Sequence, residues 1–147
     1  MSIESPLALL QALPAKPWNW AALSRNETIP LSYIDANPTL PWNYRVMTRR
    51  RDLTVAFITA HVSEDWDWQR ISGSPRIRIN TVLNNPGWSW DWNQLSSNAS
   101  IRPIDIQNNP GLPWVWSDIT RNPNITETHI LNNPDEDWDW TYISKIN

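Results

Sequence analysis

Residues 133–144 read Asn-Pro-Asp-Glu-Asp-Trp-Asp-Trp-Thr-Tyr-Ile-Ser, and the same phrase recurs in weaker form along the chain. Trp-x-Trp pairs stand at Trp18/Trp20, Trp66/Trp68, Trp90/Trp92, Trp114/Trp116 and Trp138/Trp140. Trp42/Tyr44 fills the remaining slot, so six pairs lie 24 residues apart. Three positions past each second aromatic comes Leu23, Met47, Ile71, Leu95, Ile119 or Ile143, and next to it Ser24, Thr48, Ser72, Ser96, Thr120 or Ser144. Two more apolar columns keep the register: Ile29, Leu53, Ile77, Ile101, Ile125, and Leu10, Ile34, Ile58, Val82, Ile106, Ile130. Repeats at 4–27, 28–51, 52–75, 76–99, 100–123 and 124–147 account for all but the first three residues. Such self-similarity at a fixed period marks a repeat architecture, here a single repeat domain over residues 1–147.

Proline placement indicates what each repeat contains. Asn-Pro occurs at Asn37, Asn85, Asn109 and Asn133, and half a repeat later at Asn122, with Ser74-Pro75 in the equivalent place. The residue before proline is pushed out of the helical region, and Asn tolerates the left-handed conformation common just after a helix. Each repeat therefore has two helix stops. Ala15, Thr39, Ser63, Gly87, Gly111 and Asp135 form one column of expected N-caps, with Pro17, Pro41 and Pro113 in the turn that follows. Thr126 ahead of Glu127, with Pro103 in the Glu127 column, marks the other start. The expectation is a helix of about two turns, an Asn-Pro stop, and a second short helix carrying Trp-x-Trp. Helices this short are marginal alone, so repeats must stack. A β-solenoid is the competing reading, since Trp-x-Trp and Ile77–Ile79 have strand period, but three Gly across six repeats is few for its turns.

Asn122–Thr126 followed by Asn133–Trp140 and Ile143-Ser144 resembles the tryptophan-rich repeats of giant DNA viruses of the mimivirus and marseillevirus kind. The likeness covers all six repeats, is closest in the last three, and implies a viral origin but no activity. The repeat length and its two proline stops are also similar to leucine-rich variant repeats, which implies an all-α solenoid of six 24-residue two-helix (α/3₁₀) repeats. Repeat one departs from the pattern with Leu13-Pro14, and repeat three with His61-Val62, where others have Asn-Pro.

Composition narrows the functions. With 40% hydrophobic and 18% charged residues the chain lies away from the disordered class. The absence of Cys excludes disulfides and thiolate chemistry and suits a reducing compartment. Neither a signal segment nor a run long enough to span a membrane is read, and an intracellular, non-secreted protein is expected. Asn-x-Ser/Thr triplets at Asn26, Asn98 and Asn124 then read as by-products of the repeat.

Chemistry-bearing constellations are sparse. His61 and His129, the two histidines, lie in different columns of different repeats, so no paired-imidazole metal site forms from neighbours. His129 shares a column with Asp105 and Thr81, which suggests adjacent rungs, at most a weak His–Asp pair. Asp135, Asp137 and Asp139 alternate as in a calcium loop, yet Trp140 and Ile146 stand where its Gly and Glu belong. No catalytic residue, metal ligand or cofactor is expected. Charge per repeat runs 0, +3, −3, +1, 0, −4, which makes the protein a patchwork. Arg45, Arg49, Arg50 and Arg51 form the one basic cluster, which Arg76, Arg78 and Arg102 extend in later repeats. The other candidate surface is the first Trp column, Trp18, Trp42, Trp66, Trp90, Trp114 and Trp138. At about 100° per helical residue it points away from the second column, which travels with the aliphatic residues and is assigned to the core. The first column is then either wedged between repeats or a ladder for a partner. A non-enzymatic interaction scaffold with a protein partner is the first expectation, as a monomer or weak end-to-end oligomer. A nucleic-acid-binding module using residues 45–51 is the alternative.

Overall fold

The computed structural model describes residues 2–146, so the outermost residue at each end of the expected domain lies outside the described residues. Among those described there are twelve short helices and no strand, which removes the β-solenoid. In chain order they are α1 (Leu7–Ala12), α2 (Trp20–Arg25), α3 (Leu31–Ala36), α4 (Tyr44–Met47), α5 (Val55–Ala60), α6 (Trp68–Ser72), α7 (Ile79–Asn84), α8 (Trp92–Ser97), α9 (Pro103–Gln107), α10 (Trp116–Ile119), α11 (Glu127–Asn132) and α12 (Trp140–Ile143). Odd-numbered helices begin 24 residues apart, and so do even-numbered ones. Both kinds are α rather than alternating α and 3₁₀. The N–H of Leu23 reaches Asn19 O at 3.0 Å and that of Ile143 reaches Asp139 O at 3.0 Å, the i→i−4 bond of an α-helix. None is long and apolar enough to cross a membrane.

The chain divides into two compact parts, Met1–Asp67 and Trp68–Asn147. In the first, Leu10, Leu23, Ile29, Ile34, Met47, Leu53 and Ile58 are buried, and α2 packs on α4. In the second, Ile71, Ile77, Val82, Leu95, Ile101, Ile106 and Ile119 are buried, and α8 packs between α6 and α10. These are the aliphatic columns of the repeat. Each supplies one rung per repeat, because one helix of about one turn cannot bury its apolar face by itself.

Helix starts differ from expectation in the second helix of each repeat. The middle residue of Trp-x-Trp is the N-cap, and the helix begins only at the second aromatic. Asn19 accepts from Ala22 N–H, Asn43 from Val46, Asp91 from Gln94 and Asp139 from Tyr142, each at 2.9–3.0 Å. The column from Ala15 to Asp135 lies in the preceding turn, and Pro17, Pro41 and Pro113 sit at the centre of a tight bend in which the Trp N–H donates to the carbonyl two residues back, at 2.7–2.8 Å. The first helix starts where its sequence indicates, with Thr126 capping α11 and Pro103 opening α9. Asn-Pro ends that helix, but without the left-handed backbone, since no described residue has positive φ. Asn37, Asn85, Asn109 and Asn133 instead donate their side-chain amides to the carbonyls four residues back, at 2.7–2.9 Å. A helix-end carbonyl that lacks an intrahelical donor thus receives one.

The hydroxyl column joins one repeat to the next. Ser24 Oγ accepts the N–H of Asn43, Thr48 Oγ1 that of Asp67, Ser72 Oγ that of Asp91, Ser96 Oγ that of Val115, and Thr120 Oγ1 that of Asp139, at 2.8–3.3 Å. All five hydroxyls are buried. The N–H served is that of the N-cap, which the helix cannot satisfy itself. A second buried column adds side chain to backbone bonds. Asn98 donates to Ser72 O and Ser74 O, and Asn122 to Ser96 O, Asn98 O and Ile101 O. Ser96→Ala would therefore strand the Val115 N–H, at a cost of about 1 to 3 kcal/mol. Ser96→Thr, the residue already used at Thr48 and Thr120, should cost well under that in urea melts.

Candidate functional site

The first Trp column is anchored in the fold. It lies outside any helix, so the 100° argument does not apply across the helix start. Trp42, Trp66, Trp90 and Trp138 are buried, and Trp18 and Trp114 are half-buried. Every indole N–H in this column donates to the carbonyl five residues back: Leu13, Asn37, His61, Asn85, Asn109 and Asn133, at 2.7–2.9 Å. Each ring after Trp18 also meets the second aromatic of the preceding repeat. Trp20–Trp42, Tyr44–Trp66, Trp68–Trp90, Trp92–Trp114 and Trp116–Trp138 pair edge to face with centroids 5.0–5.8 Å apart. Such pairs contribute roughly 0.5–1.5 kcal/mol beyond area burial. The second column, expected in the core, is the more open one: Tyr44 is buried, Trp20, Trp68, Trp92 and Trp116 are half-buried, and Trp140 is exposed.

The basic cluster is largely spoken for. Arg50 is buried and holds Asp52 through Nε and Nη2 at 2.8 and 2.7 Å, while Nη2 also donates to Ile29 O at 2.8 Å. It occupies the column of Asn98 and Asn122 and reaches the same kind of carbonyl, 21 residues back. Arg45 lies 3.7 Å from Asp65, and Arg51 3.6 Å from Glu27. Arg49 is exposed. In the second part, Arg102 grips Asp105, and Arg76 and Arg78 are exposed. Burial raises the Asp105 carboxyl, but bonds from the Arg102 guanidinium and backbone N–H outweigh it and hold the group below the usual range. Asp105 thus belongs to Arg102, and His129 Nδ1 accepts from Thr126 N–H at 3.0 Å, so the rungs suggested by sequence do not pair.

His61 finds different neighbours. Its Nε2 lies 2.6 Å from Asp35 Oδ1 and its Nδ1 3.3 Å from the Tyr44 hydroxyl, and its ring lies 4.4 Å from Phe57. This accounts for the missing Asn in repeat three. The His61 carbonyl still receives the Trp66 indole, while the side chain reaches back to the preceding repeat. Burial, then Glu64 and Asp35, raise the Tyr44 pKa, which keeps the phenol protonated and argues against a nucleophile.

A groove in the second part, whose outline sequence reasoning did not give, encloses a cavity of about 370 Å³. Trp114, Trp116 and Trp138 line it with Ile106, His129 and Glu136. These come from two repeats: Trp114 and Trp138 belong to the first Trp column already singled out in the sequence, whereas Trp116, Ile106, His129 and Glu136 come from other columns. No family model, curated protein or solved structure matches the chain.

Proposed function

We propose that the chain is a non-enzymatic, intracellular interaction scaffold in which six 24-residue repeats stack as a solenoid, with a protein as its partner. The observation that carries this is the recurrence of one junction: at five places a Ser or Thr hydroxyl accepts the N–H nineteen residues on. Since the stacking contacts are the same at each step, side chains outside them are free to differ and to set the partner. One such column, exposed in every repeat, runs Ala8, Ser32, Ala56, Asn80, Ile104, Thr128. Nucleic acid is the weaker reading, because Arg45, Arg50, Arg51 and Arg102 are engaged by carboxylates and their charge is locally offset. Peptide-display selection on the full chain should yield ligands that bind saturably and lose affinity on substitution of groove or variable-column residues. In parallel, single- and double-stranded oligonucleotides at low salt should show no mobility shift. A shift that Arg49→Glu or Arg78→Glu abolishes, with no peptide recovered, would replace this proposal by the nucleic-acid module.

A further inference from the structure

We propose that the groove lined by α9, α10, α11 and the turns beside them binds an alkylated ammonium group, the head shared by choline and a methylated lysine side chain. Its walls are rich in π faces and in acceptors. Trp114 and Trp138 spend their indole N–H groups on Asn109 O and Asn133 O, so toward the groove they offer only faces and edges. One N–H of the Asn133 amide goes to His129 O at 2.8 Å, and its oxygen remains an acceptor. Glu136 adds a half-buried carboxylate with no ion pair or side-chain hydrogen bond among the described residues. Neither Lys nor Arg lines the cavity, and repeat six carries a net −4.

A half-buried carboxylate without a counter-charge is unfavourable, and a cation relieves it. Inorganic cations and free ammonium hold tightly bound water, whereas an alkylated ammonium spreads its charge over methyl groups that lie against indole faces and are attracted by their quadrupoles. The cavity is large enough to enclose the head and leave a tail toward solvent. This site goes beyond the scaffold proposal and is tested apart from it.

The test titrates the full chain with tetramethylammonium, choline, an N-acetyl trimethyllysine amide and the uncharged isostere 3,3-dimethylbutanol. Indole N–H resonances and calorimetry provide the readouts. The cations should bind saturably and move the resonances of Trp114, Trp116 and Trp138, with the isostere weaker by about tenfold. The tighter of choline and the lysine derivative names the source. Glu136→Gln should weaken the cations about tenfold and leave the isostere unchanged, whereas Glu127→Gln, outside the groove in the same repeat, should change neither. Because Glu136→Gln also alters folding charge, a salt series on the unmodified chain supplies an independent measure: cation affinity should fall as ionic strength rises. Equal affinity for the isostere, no dependence on Glu136 or salt, or no saturation at tens of millimolar would each overturn the proposal. The scaffold proposal would then still stand or fall on its own peptide selection.

Discussion

Trp66→Ala should cost about 3 to 5 kcal/mol of folding stability, as expected when a large aromatic is cut from a filled site. The ring is 2% exposed, sits edge-on to Tyr44 and Phe57, and donates to His61 O. Truncation leaves a hole bounded by two aromatics and a carbonyl without its donor, so both the cavity and the hydrogen-bond terms act in one direction. Against a typical total of about 5 to 15 kcal/mol, this loss is a large part of the whole. Trp140→Ala is the control. It belongs to the other column, is 54% exposed and meets no following Trp among the described residues, so it should cost under about 1 kcal/mol. Equal losses in urea melts would remove the division of labour between the columns.

Arg50→Ala should cost about 2 to 4 kcal/mol. The side chain is buried, and its loss leaves Ile29 O and Ser24 O without donors, at about 1 to 3 kcal/mol for a well-bonded group. The bond to Ser24 O is long at 3.4 Å, and Asp52 is 39% exposed, so both count for less. The sharper outcome concerns Arg50→Asn. Asn122 reaches the carbonyls 26 and 21 residues back, the same offsets that Arg50 spans. Arg50→Asn should therefore recover at least half of what Arg50→Ala loses, while Arg50→Met, similar in size but without donors, should not. A melt in which Asn does no better than Met would break the equivalence of the column.

These two residues also mark where sequence reading succeeded and where it stopped. The 24-residue register, the aliphatic columns and the two helices per repeat were legible because spacing alone carries them. The second Trp column was assigned to the core, although it is the more open of the two, because both were placed on one helix; the first lies between repeats, one of the two places the sequence left open for it. The middle residues Asn19, Asn43, Asp67, Asp91 and Asp139 are N-cap types and signalled a later start, with Val115 the exception. Arg50 was grouped with its charged neighbours by proximity, although its column, Asn26, Asn98 and Asn122, marks a polar site. Which carbonyls that site serves depends on how far the chain rises per repeat, and no spacing along the sequence contains that distance. The groove was legible only in part for a related reason: Trp114 and Trp138 stand in the first Trp column, but Trp116 and Glu136 are twenty residues apart in sequence and share no column.

The hydroxyl that ties each repeat to the next restricts how such a gene can change length. Ser96 and Val115 are bonded across a loop that contains a turn, a helix and the Trp. One codon added or lost between them would turn each later side chain off its rung and leave an N-cap N–H facing no acceptor. Gain or loss of a whole 24-residue block leaves the same bond available at the new junction. Inheritance of length in this chain is therefore stepwise: the contacts admit a different number of rungs far more readily than a rung of different size.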